Sequence, residues 1–150
     1  MSTKVGEATI RGKQVSFFTP PHDEPDFLWV DMEELARAFV PRRDVKRMVE
    51  IARKFAGGNA RAYATARNED RIATIVCHVM AQGFCGLVDH LAGYGEEEHG
   101  PAHTDYCFAS ADIEIKHGPK RGFEDIFAAF HNVGGPFMRG LKHDQDGGAA

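Results

Sequence analysis

The sequence lacks any long apolar run. No stretch approaches the roughly 20 apolar residues that a membrane-spanning helix needs, and Met1 to Glu7 contain no apolar signal-peptide core. We therefore expect a cytoplasmic protein that does not enter a membrane.

Cysteine is also scarce. The three cysteines, Cys77, Cys85 and Cys107, are odd in number and widely spaced, which predicts reduced and mostly buried thiols rather than a disulfide framework. No C-x2-C pair is present, and a proline interrupts the H-x3-H pair of His99 and His103. Because a structural zinc site needs two close pairs of nitrogen or sulfur ligands, we expect no metal and no other cofactor.

Catalytic motifs are missing as well, since the chain contains no G-x-S-x-G, H-E-x-x-H or P-loop. A catalytic interpretation would need a nucleophile beside an oriented base. The candidates are Cys77 or Cys85 with His78 or His90, and Asp105 with His103. We predict a non-enzymatic protein and keep a small cysteine–histidine enzyme as an alternative.

The remaining composition is that of an ordinary globular protein. The 150 residues are 43% hydrophobic and 27% charged, which suits a single domain with its own core. Eleven Phe against three Tyr and one Trp predict a core rich in phenylalanine. We predict one domain over residues 1–143 and a flexible tail over 144–150, where apolar anchors are missing.

Hydrophobic periodicity predicts short strands mixed with about four helices. The predicted strands are 8–10, 14–18, 27–30, 61–67, 71–77 and 106–116, and the predicted helices are 32–39, 44–56, 79–91 and 123–130. Asp31 and Glu34 form a capping-box pattern before the first helix, and Pro41 ends that helix. Residues 93–104 have the composition of a long polar loop. Because the elements do not alternate as βαβ units, we predict an α+β fold.

The apolar stripes of these helices predict one shared core. Gly83 and Gly86, on the third helix, are expected to allow the close approach of another backbone. The predicted core residues are Met32, Leu35, Phe39, Val49, Ala52, Phe84, Leu87, Phe127 and Phe130.

Positive charge is concentrated in one segment of an otherwise acidic chain. Residues 42–54 contain six Arg or Lys against two Asp or Glu, a net charge of +4, whereas the whole chain carries −4. Local potential governs long-range attraction more than total charge does. The helices 32–39 and 44–56 have helix-turn-helix dimensions, and Arg and Lys are the residues that reach phosphates and base edges. The predicted binding residues here are Arg42, Arg43, Lys46, Arg47 and Lys54, and the competing interpretation is an ordinary solvated helix face.

An acidic run, Glu96, Glu97 and Glu98, offers a second binding surface. It lies between glycine-rich segments, which predicts an exposed loop. Such a loop can attract a basic partner, for example the groove of a nucleic-acid-binding protein.

The sequence around the first predicted helix resembles the N-terminal domain of phage antirepressors, the Bro-N type. The likeness covers residues 27–40 and is carried by Trp29-Val30-Asp31, Leu35-Ala36 and Ala38-Phe39. Val40-Pro41 departs from the family, which tends to have a glycine–aromatic step there. The resemblance implies a phage or mobile-element regulator that binds DNA or a repressor protein.

Together these observations predict a regulator or inhibitor of nucleic-acid transactions, whose partner is a nucleic acid or a nucleic-acid-binding protein. The alternative is an inhibitor that binds a protein through an acidic, DNA-mimicking surface, such as an inhibitor of a phage-defence complex.

Overall fold

Two hairpins flank one short strand and form a five-stranded sheet in the computed structural model, which describes residues 1–55, 62–95 and 99–132. The strands are β1 (Lys4–Ile10), β2 (Lys13–Phe18), β3 (Trp29–Asp31), β4 (Tyr63–Asn68) and β5 (Arg71–Val76). The helices are α1 (Met32–Phe39), α2 (Arg42–Phe55), α3 (His78–Leu91), α4 (Pro101–His117) and α5 (Phe123–Asn132). The strand order is β1-β2-β3-β5-β4, and every neighbouring pair is antiparallel. This arrangement confirms the predicted α+β class, whereas the predicted tail lies outside the described residues.

Local turn chemistry sets both hairpins. Ile10 pairs with Lys13 across a two-residue turn, in which Arg11 and Gly12 have φ of 48° and 76°. Positive φ at both positions is the geometry that matches the right-handed twist of a hairpin. In the second hairpin, β4–β5, Glu69 takes the positive φ. The predicted strands 8–10, 14–18, 61–67 and 71–77, which the sequence separates by short turn segments, are confirmed as the strands of these two hairpins.

Helices α1 to α4 contribute to a core on one face of the sheet. Inward-pointing strand residues from β2, β3 and β5 form a single buried cluster with side chains from α1, α2, α3 and α4. A second cluster lies on the opposite face, where Trp29, Phe18 and Ile75 are fully buried. The first cluster places α1 against the sheet, and α2 packs in turn on α1.

A buried polar network fixes the start of α1. Asp31 is the predicted N-cap, and one carboxylate oxygen accepts hydrogen bonds from two backbone N–H groups of the first turn, at 3.0 and 3.1 Å. Its other oxygen accepts from Asn68 at 2.9 Å and pairs with Arg71. Glu34 accepts from the backbone N–H of Ser16 at 2.6 Å and from Asn68 at 2.9 Å. The predicted N-cap is therefore confirmed, but the capping box is wrong, because the two carboxylate oxygens of Glu34 bind Ser16 and Asn68 and so join α1 to the sheet.

In the region after α3, the predicted strand 106–116 is wrong and the predicted loop 93–104 is too long. Most of this region is α4, which begins at Pro101. The carboxylate of Asp89, on α3, accepts from the backbone N–H groups of Ala102 at 2.8 Å and His103 at 2.9 Å. It also leaves no room for a Cβ on the residue before the helix, Gly100. The helix start is thus capped by a residue that is distant in sequence, which local patterns do not reveal.

The predicted phenylalanine-rich core is wrong in its C-terminal part. Met32, Leu35 and Ala52 are buried as predicted, and Phe39, Val49 and Phe84 pack partly buried against them. Leu87, Phe127 and Phe130 are exposed, by 47, 67 and 63%. A Cβ placed on Gly83 or Gly86 would meet open space, so the predicted close backbone approach is also wrong.

Two leucines that were both predicted to be core residues provide a matched stability test. Leu35→Ala removes a fully buried side chain and is expected to lower the free energy of unfolding by about 2–5 kcal/mol. Leu87→Ala changes a half-exposed helical residue and should cost less than about 1 kcal/mol. Urea titration of both variants measures the difference, and equal costs would contradict the burial pattern.

Candidate nucleic-acid interface

The basic residues of α2 share one exposed side of the helix. Arg42, Arg43, Lys46, Arg47 and Lys54 are all exposed, as is Arg53. At about 100° per residue, these six cations fall within an arc of about 140° around the helix axis. Glu50 is the one acidic residue inside that arc. All five predicted basic binding residues therefore lie on a single surface, which we call the α2 basic face together with Arg53.

The opposite side of α2 anchors the helix. Val45 and Ala52 are buried, at 6 and 7% exposure, and Met48 and Val49 pack partly buried against the main core. These four positions repeat at the i, i+3, i+4, i+7 spacing of one helical stripe. Apart from Arg53, which contacts Thr74, the cations of the basic face take no part in this packing and are available for contacts outside the protein.

The charges of the α2 basic face are largely uncompensated. Within residues 1–55, 62–95 and 99–132, no ion pair involves Arg42, Lys46, Arg47 or Lys54. Arg43 has one loose pair, 3.9 Å from Asp44, and its side chain is 86% exposed. A surface pair of that kind contributes little to stability. The positive charge of this helix is therefore not explained by contacts within the described chain.

Two of the cations lie at the end of α2 that disfavours them. Arg42 and Arg43 begin the helix, where the unsatisfied N–H groups already create a positive partial charge. A bound anion such as a phosphate would lower the energy of both the helix end and the arginines. Two arginines at this end of α2 favour the binding of an anion but do not stabilise the helix itself.

The helix pair α1–α2 has the compact form that the sequence predicted. Only Val40 and Pro41 separate the two helices. A groove of about 410 Å³ runs between them. Its charged lining residues are Glu33, Arg37, Arg42, Lys46, Glu50 and Arg53. The α2 basic face therefore continues into a groove rather than ending on a flat surface.

Three further cations were not among the predicted binding residues, although Arg53 was counted in the basic segment 42–54. Arg37 forms an i, i+4 pair with Glu33 on α1. Arg53 donates to the Thr74 hydroxyl at 3.0 Å, which ties the end of α2 to β5. Arg67 is exposed on β4. It pairs with Ile72 of β5, whose side chain lies on the same face of the sheet as that of Thr74. The strand register thus places Arg67 on the same sheet face as Thr74, the residue that Arg53 contacts.

The predicted acidic site cannot be placed in the same way. Glu96, Glu97 and Glu98 lie outside the described residues. Their contribution to binding stays a prediction from the sequence.

The cysteine and histidine candidates for catalysis do not form an aligned pair in the described part of the chain. Burial raises the pKa of the Cys77 thiol to about 12, and burial also raises the pKa of Cys85, so both are protonated at neutral pH and poor nucleophiles. Burial lowers the pKa of His78 to about 4, and its Nδ1 lies 2.7 Å from the hydroxyl of Tyr106. Asp105 pairs with Arg11 at 3.1 Å.

His99, His103 and Cys107 come together without forming a metal site. The two imidazoles stack with centroids 4.1 Å apart, and the Cys107 sulfur lies 3.8 and 3.7 Å from the two ring nitrogens of His103. Nearly equal distances mean that the sulfur is in line with neither nitrogen, which is poor geometry for proton transfer. Among the described residues, no group of three or more His, Cys, Asp or Glu side chains is arranged to hold a metal ion.

Comparisons with protein-family models, curated proteins and solved structures gave no match for this chain. In the part of the chain that the structure describes, no helix is both long and apolar enough to cross a membrane.

Proposed function

We propose that this protein is a non-enzymatic, cytoplasmic regulator or inhibitor of nucleic-acid transactions that binds nucleic acid through the α2 basic face. The observation that carries this proposal is the set of exposed cations on one side of α2, most of which have no ion-pair partner among the described residues. The phage or mobile-element setting rests on the resemblance of residues 27–40 to antirepressor domains.

The size of the basic face favours a polyanion over a single small anion. Arg42 and Lys54 are twelve residues apart, so the face extends for about 18 Å along the helix. One phosphate could engage only two or three of these side chains, because each cation needs its own oxygen. A nucleic-acid backbone presents a row of phosphates that can pair with all of them.

A helix of this kind can supply both affinity and orientation. Lys and Arg at the two ends of α2 would pair with backbone phosphates, which fix the position of the helix but do not identify bases. Glu50 lies in the middle of the basic face, and a carboxylate in a major groove can accept from the amino group of cytosine. The arrangement therefore supports a phosphate-dominated contact with limited base preference.

Salt dependence tests the proposed function. Binding of the full chain to a fluorescent 20-base-pair duplex should weaken steeply with salt, with a slope of log K against log [salt] of about −4 to −5 if five phosphates are contacted. Fluorescence anisotropy across a salt series measures this slope. Absence of binding at low salt to duplex DNA, single-stranded DNA and RNA would contradict the proposal.

A further inference from the structure

Half of the large hydrophobic side chains that lie exposed among the described residues belong to α4 and α5. Phe123 and Ile115 are 81 and 85% exposed, and Phe108 is 74% exposed. We call this set the α4–α5 apolar patch. Its members are Phe108, Ile115, Phe123, Ile126, Phe127 and Phe130. Exposed apolar surface on this scale is typical of an interaction site.

The members of the patch adjoin one another. The rings of Phe123 and Phe127 have centroids 6.1 Å apart. Ile115, Ile126 and Phe130 line a groove of about 530 Å³ between the two helices. Phe108 and Ile115 are seven residues apart on α4 and so lie on the same side of it. The patch is therefore one surface with a central depression.

The packing of α5 directs its apolar side chains outward. Only Ala129 and Asn132 of this helix are buried, and Asn132 donates to the backbone carbonyl of Pro25 at 2.9 Å. Phe123 and Phe127 thus remain mostly in solvent, while Phe130 is 63% exposed beside the ring of Phe27 and Ile126 is 40% exposed. This inverts the usual arrangement of an amphipathic surface helix.

The exposed area matches what a stable dimer buries. The six side chains expose the equivalent of about four complete large apolar residues, or on the order of 800 Å² at about 150–250 Å² each. A standard interface buries about 800 Å² on each partner. The patch therefore offers about as much apolar area as one side of a standard interface buries.

Charges at one border of the patch favour a second copy of the chain as the occupant. Lys120 precedes α5, and Glu124 and Asp125 lie in its first turn. All three are exposed, and none has an ion pair within the described residues. A surface with adjacent charges of both signs is complementary to itself when it is rotated about a two-fold axis.

We propose that the α4–α5 apolar patch is the interface of a two-fold symmetric homodimer. Phe123 and Phe127 of each copy pack on the groove of the other, and Lys120 of each copy faces Glu124 and Asp125 across the axis. The α2 basic face is not part of this interface, so the dimer presents two copies of it.

Sedimentation of the full chain tests the dimer. Twice the monomer mass of 16.6 kDa is expected at about 100 µM, with dissociation on dilution. Phe127→Glu should weaken the dimer by about 30-fold or more, as loss of a central aromatic anchor does. Leu91→Glu, on α3, is the matched control because Leu91 is 78% exposed outside the patch. A monomer at all concentrations, or equal loss in both variants, would overturn the proposal.

A mixing experiment tests whether the occupant is a second copy. Lys120→Glu and the double variant Glu124→Lys with Asp125→Lys should each weaken self-association by about tenfold, because like charges then meet across the axis. An equimolar mixture should form a heterodimer with about the affinity of the wild-type dimer, since opposite charges meet again at both ends of the interface. If the mixture associates no better than either variant alone, the two-fold arrangement is wrong. Because these residues lie outside α2, a negative result would overturn the dimer without bearing on nucleic-acid binding.

Discussion

Replacing Arg43 and Arg47 together by glutamate is expected to abolish nucleic-acid binding while leaving the melting temperature nearly unchanged. Both side chains are exposed on the same side of α2, one turn apart, and the helix is anchored by its opposite side. The double change removes two phosphate contacts and adds two repulsive charges, so affinity should fall by about 100-fold or more at low salt. Anisotropy titration and thermal unfolding measure the two effects separately.

A matched control is available at two exposed lysines away from α2. Lys13→Glu with Lys116→Glu changes the net charge by the same amount at sites outside the α2 basic face. If binding depends on the face itself, the control should lose only a small part of the affinity through long-range repulsion. Equal losses in both double variants would contradict the assignment of the site.

The acidic run provides the distinction between a nucleic-acid partner and a protein partner. Changing Glu96, Glu97 and Glu98 to glutamine removes three negative charges. Nucleic-acid binding should then stay intact or become stronger, because repulsion of phosphates decreases. If the partner is instead a basic protein, association should become slower and less dependent on salt. The direction of this one change decides between the two partner classes.

Local signals predicted the parts of the fold that depend on neighbouring residues. The first hairpin follows from a glycine at a position with positive φ, and the α1 start follows from an aspartate that can accept two nearby N–H groups. The stripe of α2 also indicated which side is buried. Each of these features involves residues within a few positions of one another.

The errors arose where a distant residue decides the local structure. Ile113 and Ile115 alternate with polar neighbours as in a strand, but they belong to a helix whose start is capped by Asp89. Residues two apart share one face of a strand but lie about 200° apart on a helix, so Ile113 is buried here while Ile115 is 85% exposed. In the same way, only the strand register shows that Arg67 lies on the same sheet face as Thr74.

The buried network at the start of α1 leads to a large expected effect on stability that depends on pH. Arg71 pairs with Asp31 and lies 3.3 Å from Glu34, and the Asp31 side chain is fully buried. Arg71→Ala would leave these carboxylates without their cation, which is strongly destabilising in a buried site. Because the Arg71 side chain is one-third exposed, a loss near the lower end of the usual range, about 3 kcal/mol, is expected at neutral pH.

This loss should depend on pH in a definite direction. Burial raises the pKa of Asp31 above its ordinary value of 3.8, and the charge of Arg71 opposes that rise. The folded protein therefore holds the Asp31 proton more tightly than the unfolded chain does, so stability falls as the pH rises through the folded-state pKa. Removing Arg71 raises this pKa further. The difference in unfolding free energy between wild type and Arg71→Ala should thus be largest at neutral pH and shrink on acidification toward about pH 4.

Urea titration at neutral and acidic pH measures this difference, and Asp31→Asn is the control background. Asparagine keeps an oxygen that can cap α1 but carries no charge to neutralise, so Arg71→Ala should cost less there and its cost should vary less with pH. A cost that is the same at both pH values and in both backgrounds would mean that Arg71 stabilises the fold through packing alone. A cost that shrinks on acidification and in the Asp31→Asn background would assign the stabilisation to the buried charge pair of Asp31 and Arg71.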